Sequence, residues 1–156
     1  MECEENSLSI TNKSVGILIH KIDVSMKIET LQIFKANKCI VTPEQWGLLY
    51  LLTKRGEQYQ RQISKALLKD RPNVTRMIDI LEKKRLVKRM PDEENRRISK
   101  IFLTDKGREI ALKYMPLIKK VTSSACEILN EQEIDTLTNI LWKIYDHQVQ
   151  TLKIQI

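Results

Sequence analysis

Two clusters of side chains in this sequence could bind phosphate groups and the edges of nucleic-acid bases. The clusters are Arg71, Asn73, Thr75 and Arg76, and the adjacent pair Arg96 and Arg97. An arginine can make paired hydrogen bonds to guanine, and an asparagine can do the same with adenine. A guanidinium also pairs with phosphate oxygens. The same residues would also suit a solvated surface, so their meaning depends on the elements that position them.

Positive charge is concentrated in one part of the chain. The net charge of the 156 residues is +7. Residues 54–108 hold 17 Lys and Arg against 8 Asp and Glu, a net of +9, and the rest of the chain is slightly acidic. A contiguous basic segment suits a polyanionic partner, because neutralised phosphates release their counterions. A basic surface that serves only solubility is the alternative.

The apolar pattern predicts a series of helices that a hairpin interrupts. Residues 14–36 place apolar side chains every three or four positions, which predicts a helix. Thr42 and Pro43 begin a second helix, which Gly56 ends. A short third helix covers residues 61–70, and a fourth, capped by Asp70, covers about 71–84. Two strands, Leu86–Met90 and Ile98–Thr104, follow, and two long helices begin at Thr104 and Asn130.

This order of elements predicts a mainly α protein with a small β-hairpin, the winged helix-turn-helix arrangement. The fourth helix would be the recognition helix, whose first turns reach base edges in the major groove. The segment Asp92–Arg97 would be the tip of the wing. Its arginines could enter a minor groove, where the negative potential is deeper. Its acidic residues would orient the arginines by local ion pairs.

The sequence resembles the MarR (multiple antibiotic resistance regulator) family of bacterial transcription factors. The residues that carry the resemblance are "VTRMIDILEKK", "LVKR" and "NRRISKIFLTDKGRE" between positions 74 and 109, with "TPEQWGLLYLL" upstream. The resemblance implies one domain over residues 1–156. Within it, residues 40–104 form the DNA-binding lobe, with the wing at about 86–104, and residues 8–37 and 105–152 form a helical dimerisation region. Asn95 and Arg85 stand where the family usually has Asp and Gly. We therefore expect a wing held less rigidly, and a recognition helix that either ends differently or carries strain at Arg85.

From the helix-turn-helix arrangement we expect contacts with double-stranded DNA from both clusters, with three lysines at phosphates. These residues are Arg71, Asn73, Thr75, Arg76, Arg96 and Arg97, and Lys65, Lys69 and Lys100. The resemblance further implies a homodimer and a small lipophilic or phenolic effector. The effector crevice would be lined by His20, Phe34, Trp46, Tyr50, Tyr114 and Met115. Aromatic residues at helical spacing are equally expected in a core.

Other functions find less support in the sequence. No glycine-rich phosphate loop and no nucleophile–base pair is visible, so an enzyme is not expected. Three scattered cysteines and two distant histidines predict neither a metal site nor a thiol sensor, and no cofactor is expected. With no signal peptide and no run of roughly 18 apolar residues, we expect a cytoplasmic, nucleoid-associated protein and no membrane partner. A sequence-tolerant architectural DNA binder and a winged-helix protein–protein adapter remain the alternatives.

Overall fold

The computed structural model describes residues 14–95 and 98–151. The elements of these residues, in chain order, are α1 (Val15–Ala36), α2 (Pro43–Arg55), β1 (Gln58–Tyr59), α3 (Gln60–Leu67), α4 (Arg71–Lys83), β2 (Val87–Pro91), β3 (Ser99–Leu103), α5 (Asp105–Ala125) and α6 (Glu131–Thr151). The chain divides after Pro43 into two compact units, so α1 belongs to the first and the elements from α2 onward to the second. The predicted class, mainly helical with a small antiparallel sheet, is confirmed.

Helices α3 and α4 are the helix-turn-helix pair, and three residues separate them. Helix α4 starts where the sequence predicts, because the Asp70 side chain accepts a hydrogen bond from the Asn73 backbone N–H. Its inner face buries Val74, Ile78 and Leu81 completely. The apolar stripe read from the sequence therefore fixes which side of α4 is left for solvent.

The wing is a three-stranded antiparallel sheet with strand order β1-β3-β2. Strands β2 and β3 pair from Val87 opposite Leu103 to Pro91 opposite Ser99. The sequence predicted this hairpin, with each strand end within one residue of the observed one. The third strand, β1, was not predicted. It has only two residues, and it forms because Gln58 and Tyr59 pair with β3, which is about 40 residues away in the chain.

Three helices end in the same type of turn, and in each the residue with left-handed backbone is not glycine. The three are Lys38, Leu68 and Arg85, with φ of 49°, 50° and 59°. After α4, the N–H of Leu86 donates to the Leu81 carbonyl at 2.9 Å, and that of Arg85 to the Glu82 carbonyl at 2.8 Å. This is the Schellman pattern that glycine usually completes. Helix α4 therefore ends in a Schellman turn, with strain at Arg85 because a residue with a Cβ atom takes the position that favours glycine.

Helix α5 begins against the turn that ends α4. The Thr104 hydroxyl accepts from the Gly107 N–H, as the sequence predicted for a cap, and donates to the Leu86 carbonyl at 2.9 Å. A Cβ atom at Gly107 would lie 2.1 Å from the same carbonyl oxygen. This close approach requires glycine at position 107. The helix ends at Ala125, four residues before the apolar pattern ends, and Ile128 beyond it is 86% exposed.

Candidate nucleic-acid interface

The first two turns of α4 expose two arginines whose guanidinium groups make no hydrogen bond or ion pair within residues 14–95 and 98–151. Arg71 and Arg76 are both exposed. Asp70 caps the helix with one carboxylate oxygen on the Asn73 backbone N–H and the other on the Asn73 side-chain amide, each at 2.8 Å. Asn73 is exposed, and its side-chain oxygen can still accept a hydrogen bond from a base. The capped end of α4 thus presents cationic donors to an anionic partner.

Thr75, the fourth residue of this cluster, has its hydroxyl group engaged within the protein. The hydroxyl donates to the Arg71 carbonyl at 2.9 Å and accepts a hydrogen bond from the Gln60 side-chain amide. The same amide lies 3.3 Å from the Arg71 carbonyl. Gln60 is the first residue of α3, so this contact joins the start of α3 to the face of α4 predicted to reach DNA. The sequence did not single out Gln60, because 15 residues separate it from Thr75.

The second half of α4 is tied to the wing by Arg89 on β2. Its guanidinium donates to the carboxylates of Asp79 and Glu82, and its backbone N–H donates to Glu82 Oε1 at 3.0 Å. Partial burial lowers the pKa of Arg89, but these bonds outweigh that effect and raise it above its ordinary value. The Arg89 guanidinium thus neutralises two carboxylates beside the basic surface and holds α4 against β2.

At the wing, the structure places one of the predicted phosphate ligands and leaves two predicted residues undescribed. Arg96 and Arg97 lie outside the described residues. Lys100 is half-buried on β3, with its ammonium 3.5 Å from Asp92 Oδ2 and 5.3 Å from the centre of the Tyr59 ring. Asp92 is 7% exposed. Lys100 is therefore engaged by an acid and an aromatic ring inside the wing.

The two lysines of α3 and its following turn differ in their surroundings. Lys65 is exposed. The Lys69 ammonium lies 3.9 Å from Glu44 at the start of α2, a distance at which the attraction is weak and easily exchanged for another anion. Both remain predicted phosphate contacts.

The residues predicted to line an effector crevice are found in several environments. Trp46 is buried, donates its indole N–H to the Ala111 carbonyl at 3.2 Å and stacks on Tyr50 with ring centres 5.1 Å apart. Tyr114 is 4% exposed, one turn beyond Ala111 on α5. The other three are Phe34, which is buried, Met115, which is half-buried, and His20, which is exposed. Trp46, Tyr50 and Tyr114 belong to elements that pack in the second unit, as core aromatic residues do.

A cavity of about 630 Å³ lies elsewhere, at the junction of α3 and the wing. Its lining includes Tyr59, Gln60, Arg89 and Ile101. None of the six predicted effector residues lines this cavity. In the described ranges, no three His, Cys, Asp or Glu side chains are grouped to hold a metal ion, and no helix is long and apolar enough to cross a bilayer.

The fold and this basic helix face define a winged helix-turn-helix protein, and comparisons with known proteins give its family. The MarR family sequence model matches residues 41–99. YkoM, an uncharacterized HTH-type transcriptional regulator of Bacillus subtilis, is 34% identical over 110 residues, which is 70% of this chain and 71% of YkoM. The chain belongs to the MarR family of DNA-binding transcriptional regulators.

Solved structures match the chain over most of its length. The S. aureus MepR–DNA complex has a TM-score of 0.78 and 25% identity, over 86% of this chain and 97% of MepR. BpsR of Bordetella bronchiseptica, whose DNA binding is regulated by 6-hydroxynicotinic acid, has a TM-score of 0.78 and 24% identity, over 86% of this chain and 94% of BpsR. Both share the predicted fold.

Proposed function

We propose that the protein is a homodimeric repressor that binds a pseudo-palindromic operator and leaves it when a small molecule binds. The observation that carries the sequence-specific part is the pair Arg71 and Arg76, exposed on a capped helix with no ion pair to an acidic side chain among the described residues. Such a pair can reach guanine edges from the major groove. We assign base contacts to Arg71, Asn73, Thr75 and Arg76, and backbone contacts to Lys65, Lys69, Arg96 and Arg97. A regulator of chromosomal genes acts in the bacterial cytoplasm.

Helices α1 and α6 support the homodimer. Helix α6 has no buried residue, yet its large apolar residues follow one another at helical spacing. They are Ile134, Leu137, Ile140, Leu141, Trp142, Ile144 and Tyr145, each at least 37% exposed. Helix α1 buries only Phe34 and exposes a similar series. Covering the apolar surface that these residues still expose would favour association. A symmetric dimer would cover them and set two recognition helices about one DNA turn apart.

Release by a small molecule is proposed by analogy with BpsR, whose DNA binding responds to a small aromatic acid. An effector can weaken DNA binding only by its differential affinity for the two states of the dimer. We assign its contacts within the second unit to Trp46, Tyr50, Tyr114 and Met115, four of the six residues that the sequence predicts for the crevice. Thermal shift with a panel of phenolic and lipophilic acids, repeated with Trp46→Ala, tests this assignment. An unchanged response in Trp46→Ala would move the crevice elsewhere.

Selection of bound duplexes from random DNA tests the central proposal. We expect an inverted repeat with half-sites about one helical turn apart. Titrations at two salt concentrations should then give a clear preference over random duplex at both. Motif-free binding that depends only on salt would support an architectural DNA binder instead, and no binding at all would favour an adapter.

Variants of single arginines make the test sharper. Arg76→Ala should weaken the binding free energy for the best duplex by about 1–3 kcal/mol. It should also relax the base preference at one position of each half-site. Arg96→Ala with Arg97→Ala should weaken binding at most sequences. Arg108→Ala, which removes an exposed arginine from α5, is the matched control and should change little. Normal operator binding by both test variants would show that the proposed docking is wrong.

A further inference from the structure

Asp92 is a buried carboxylate at the start of the wing turn, whose next three residues are exposed. Carboxylates are seldom buried unless every oxygen has partners. Oδ1 of Asp92 accepts the backbone N–H groups of Glu94 at 3.1 Å and Asn95 at 3.0 Å. Its Oδ2 accepts the Tyr59 hydroxyl at 2.6 Å and faces the Lys100 ammonium at 3.5 Å. The carboxylate thus organises the turn with one oxygen and anchors it with the other.

The anchor, Tyr59, stands where the wing meets the helix-turn-helix. It is the second residue of β1 and directly precedes α3. Its backbone N–H donates to the Gln62 side chain at 2.8 Å, which fixes the first turn of α3. The next residue, Gln60, donates to Thr75 on α4. A continuous path of hydrogen bonds and one peptide bond therefore runs from the wing turn to the base-reading face of α4.

Lys100, on β3, contacts both Asp92 and Tyr59. Its ammonium lies near both the Asp92 carboxylate and the face of the Tyr59 ring. An ammonium held by a buried acid and an aromatic ring has less to gain from a phosphate than one in solvent, because it must exchange existing contacts. Its contacts thus tie β3 to the same two residues that anchor the turn.

We propose that Tyr59, Asp92 and Lys100 are positioning residues that hold the wing turn at a set distance from the recognition helix. The proposal rests on the DNA-binding function proposed above. In it, the Asp92–Tyr59 bond anchors the wing turn, and Asp92 Oδ1 holds the backbone of Glu94 and Asn95 within it. Lys100 acts through Asp92, so it is a positioning residue and not a phosphate contact. Affinity should fall when the turn samples other positions, because only the docked fraction binds with both elements.

Tyr59→Phe is the first test, because it removes one hydroxyl and keeps the ring beneath Lys100. We expect the affinity of the full-length protein for the duplex selected from random DNA to fall between about threefold and tenfold. In a protein that already carries Arg96→Ala and Arg97→Ala, the same change should leave the DNA affinity almost unchanged. In that background the proposed contacts of the wing arginines with DNA are already absent, so the position of the turn no longer affects binding. Ser123→Ala is the control, since it removes one exposed hydroxyl from the last turn of α5, where no DNA or effector contact is proposed.

Two further measurements separate positioning from a general loss of stability. Hydrogen exchange at the Glu94 and Asn95 amides should accelerate in Tyr59→Phe, whereas the Gly107 amide, capped by Thr104, should be unchanged. Lys100→Met should weaken operator binding in the parent protein, and in the background that lacks Arg96 and Arg97 it should leave both the affinity and the salt slope almost unchanged. A phosphate contact would lower that slope by about one.

Several results would overturn the proposal while leaving the DNA-binding function intact. They are equal operator affinity of Tyr59→Phe and the parent, an equal loss in both backgrounds, and a salt slope lowered by Lys100→Met. If Tyr59→Phe does not fold, Lys100→Met decides alone. Failure of the parent protein to select any motif would instead reject the sequence-specific function on which the proposal rests.

Discussion

Replacing Arg85 by glycine should stabilise the protein, although it removes a whole side chain. Arg85 has a φ of 59° at the end of the recognition helix. A residue with a Cβ atom pays about 1–2 kcal/mol in this left-handed region. The greater freedom of glycine in the unfolded chain reduces the gain in stability by about 0.5–1 kcal/mol. Loss of the cation at the helix end reduces it by about a few tenths of a kcal/mol more. The expected net gain is about 0.5 kcal/mol.

Nothing else in the described contacts opposes this gain. The Arg85 side chain is exposed, and its recorded hydrogen bonds use the backbone: its N–H donates to Glu82, and its carbonyl accepts the Thr104 hydroxyl at 2.9 Å. Glycine keeps both. The matched control is Lys83→Gly, two residues earlier and the last residue of α4, where glycine should destabilise by up to about 0.8–1 kcal/mol, the cost in a helix interior.

Urea denaturation at one fixed protein concentration measures both variants. The midpoint should rise for Arg85→Gly and fall for Lys83→Gly, with the slope m unchanged in each. Fixed concentration matters because a dimer unfolds in a concentration-dependent way. If Arg85→Gly lowered the midpoint as much as Lys83→Gly, the strain at position 85 would have to be relieved by contacts that the arginine makes, and the reasoning would be refuted.

Three further predictions follow from single side chains. The Ser64 hydroxyl is fully buried and has no partner in the described part of the chain, so Ser64→Ala should raise the free energy of unfolding by about 1 kcal/mol; a lower free energy would contradict this. Gly107→Ala should lower the free energy of unfolding by at least about 1–3 kcal/mol, because the added Cβ would clash with the Leu86 carbonyl. Gly47→Ala is the control: its Cβ would have open space around it, so the variant should be neutral or stabilising in the same urea assay. The hydrogen bond from Tyr59 lowers the pKa of Asp92 below its ordinary 3.8, more than burial raises it. Its contribution to stability should therefore be complete above about pH 4 and be lost as the pH falls through the lower pKa of the folded state. The difference in the free energy of unfolding between the parent protein and Asp92→Asn should then shrink in acid.

The helices of this protein follow from local sequence. Asp70, Thr104 and the pair Asn130 and Glu133 all make the capping bonds that the sequence predicts. Each cap joins residues three apart, and each apolar stripe repeats within a turn or two, so neighbouring residues contain the information. The basic face of α4 is equally readable, because burial of Val74 and Ile78 leaves the arginines outside.

The connections between the elements depend on contacts between residues far apart in the chain. Strand β1 exists only because Tyr59 meets β3, and Tyr59 and Asp92 are 33 residues apart. From the sequence alone, Asp92 was one of three acids that could have oriented an arginine, and Lys100 was a predicted phosphate contact. Folding brings both to the Tyr59 ring, and burial turns a solvated charge into one that requires partners. The sequence by itself thus determined the helices, the family and the charged surface, and the tertiary structure decided which of those charges are engaged within the protein.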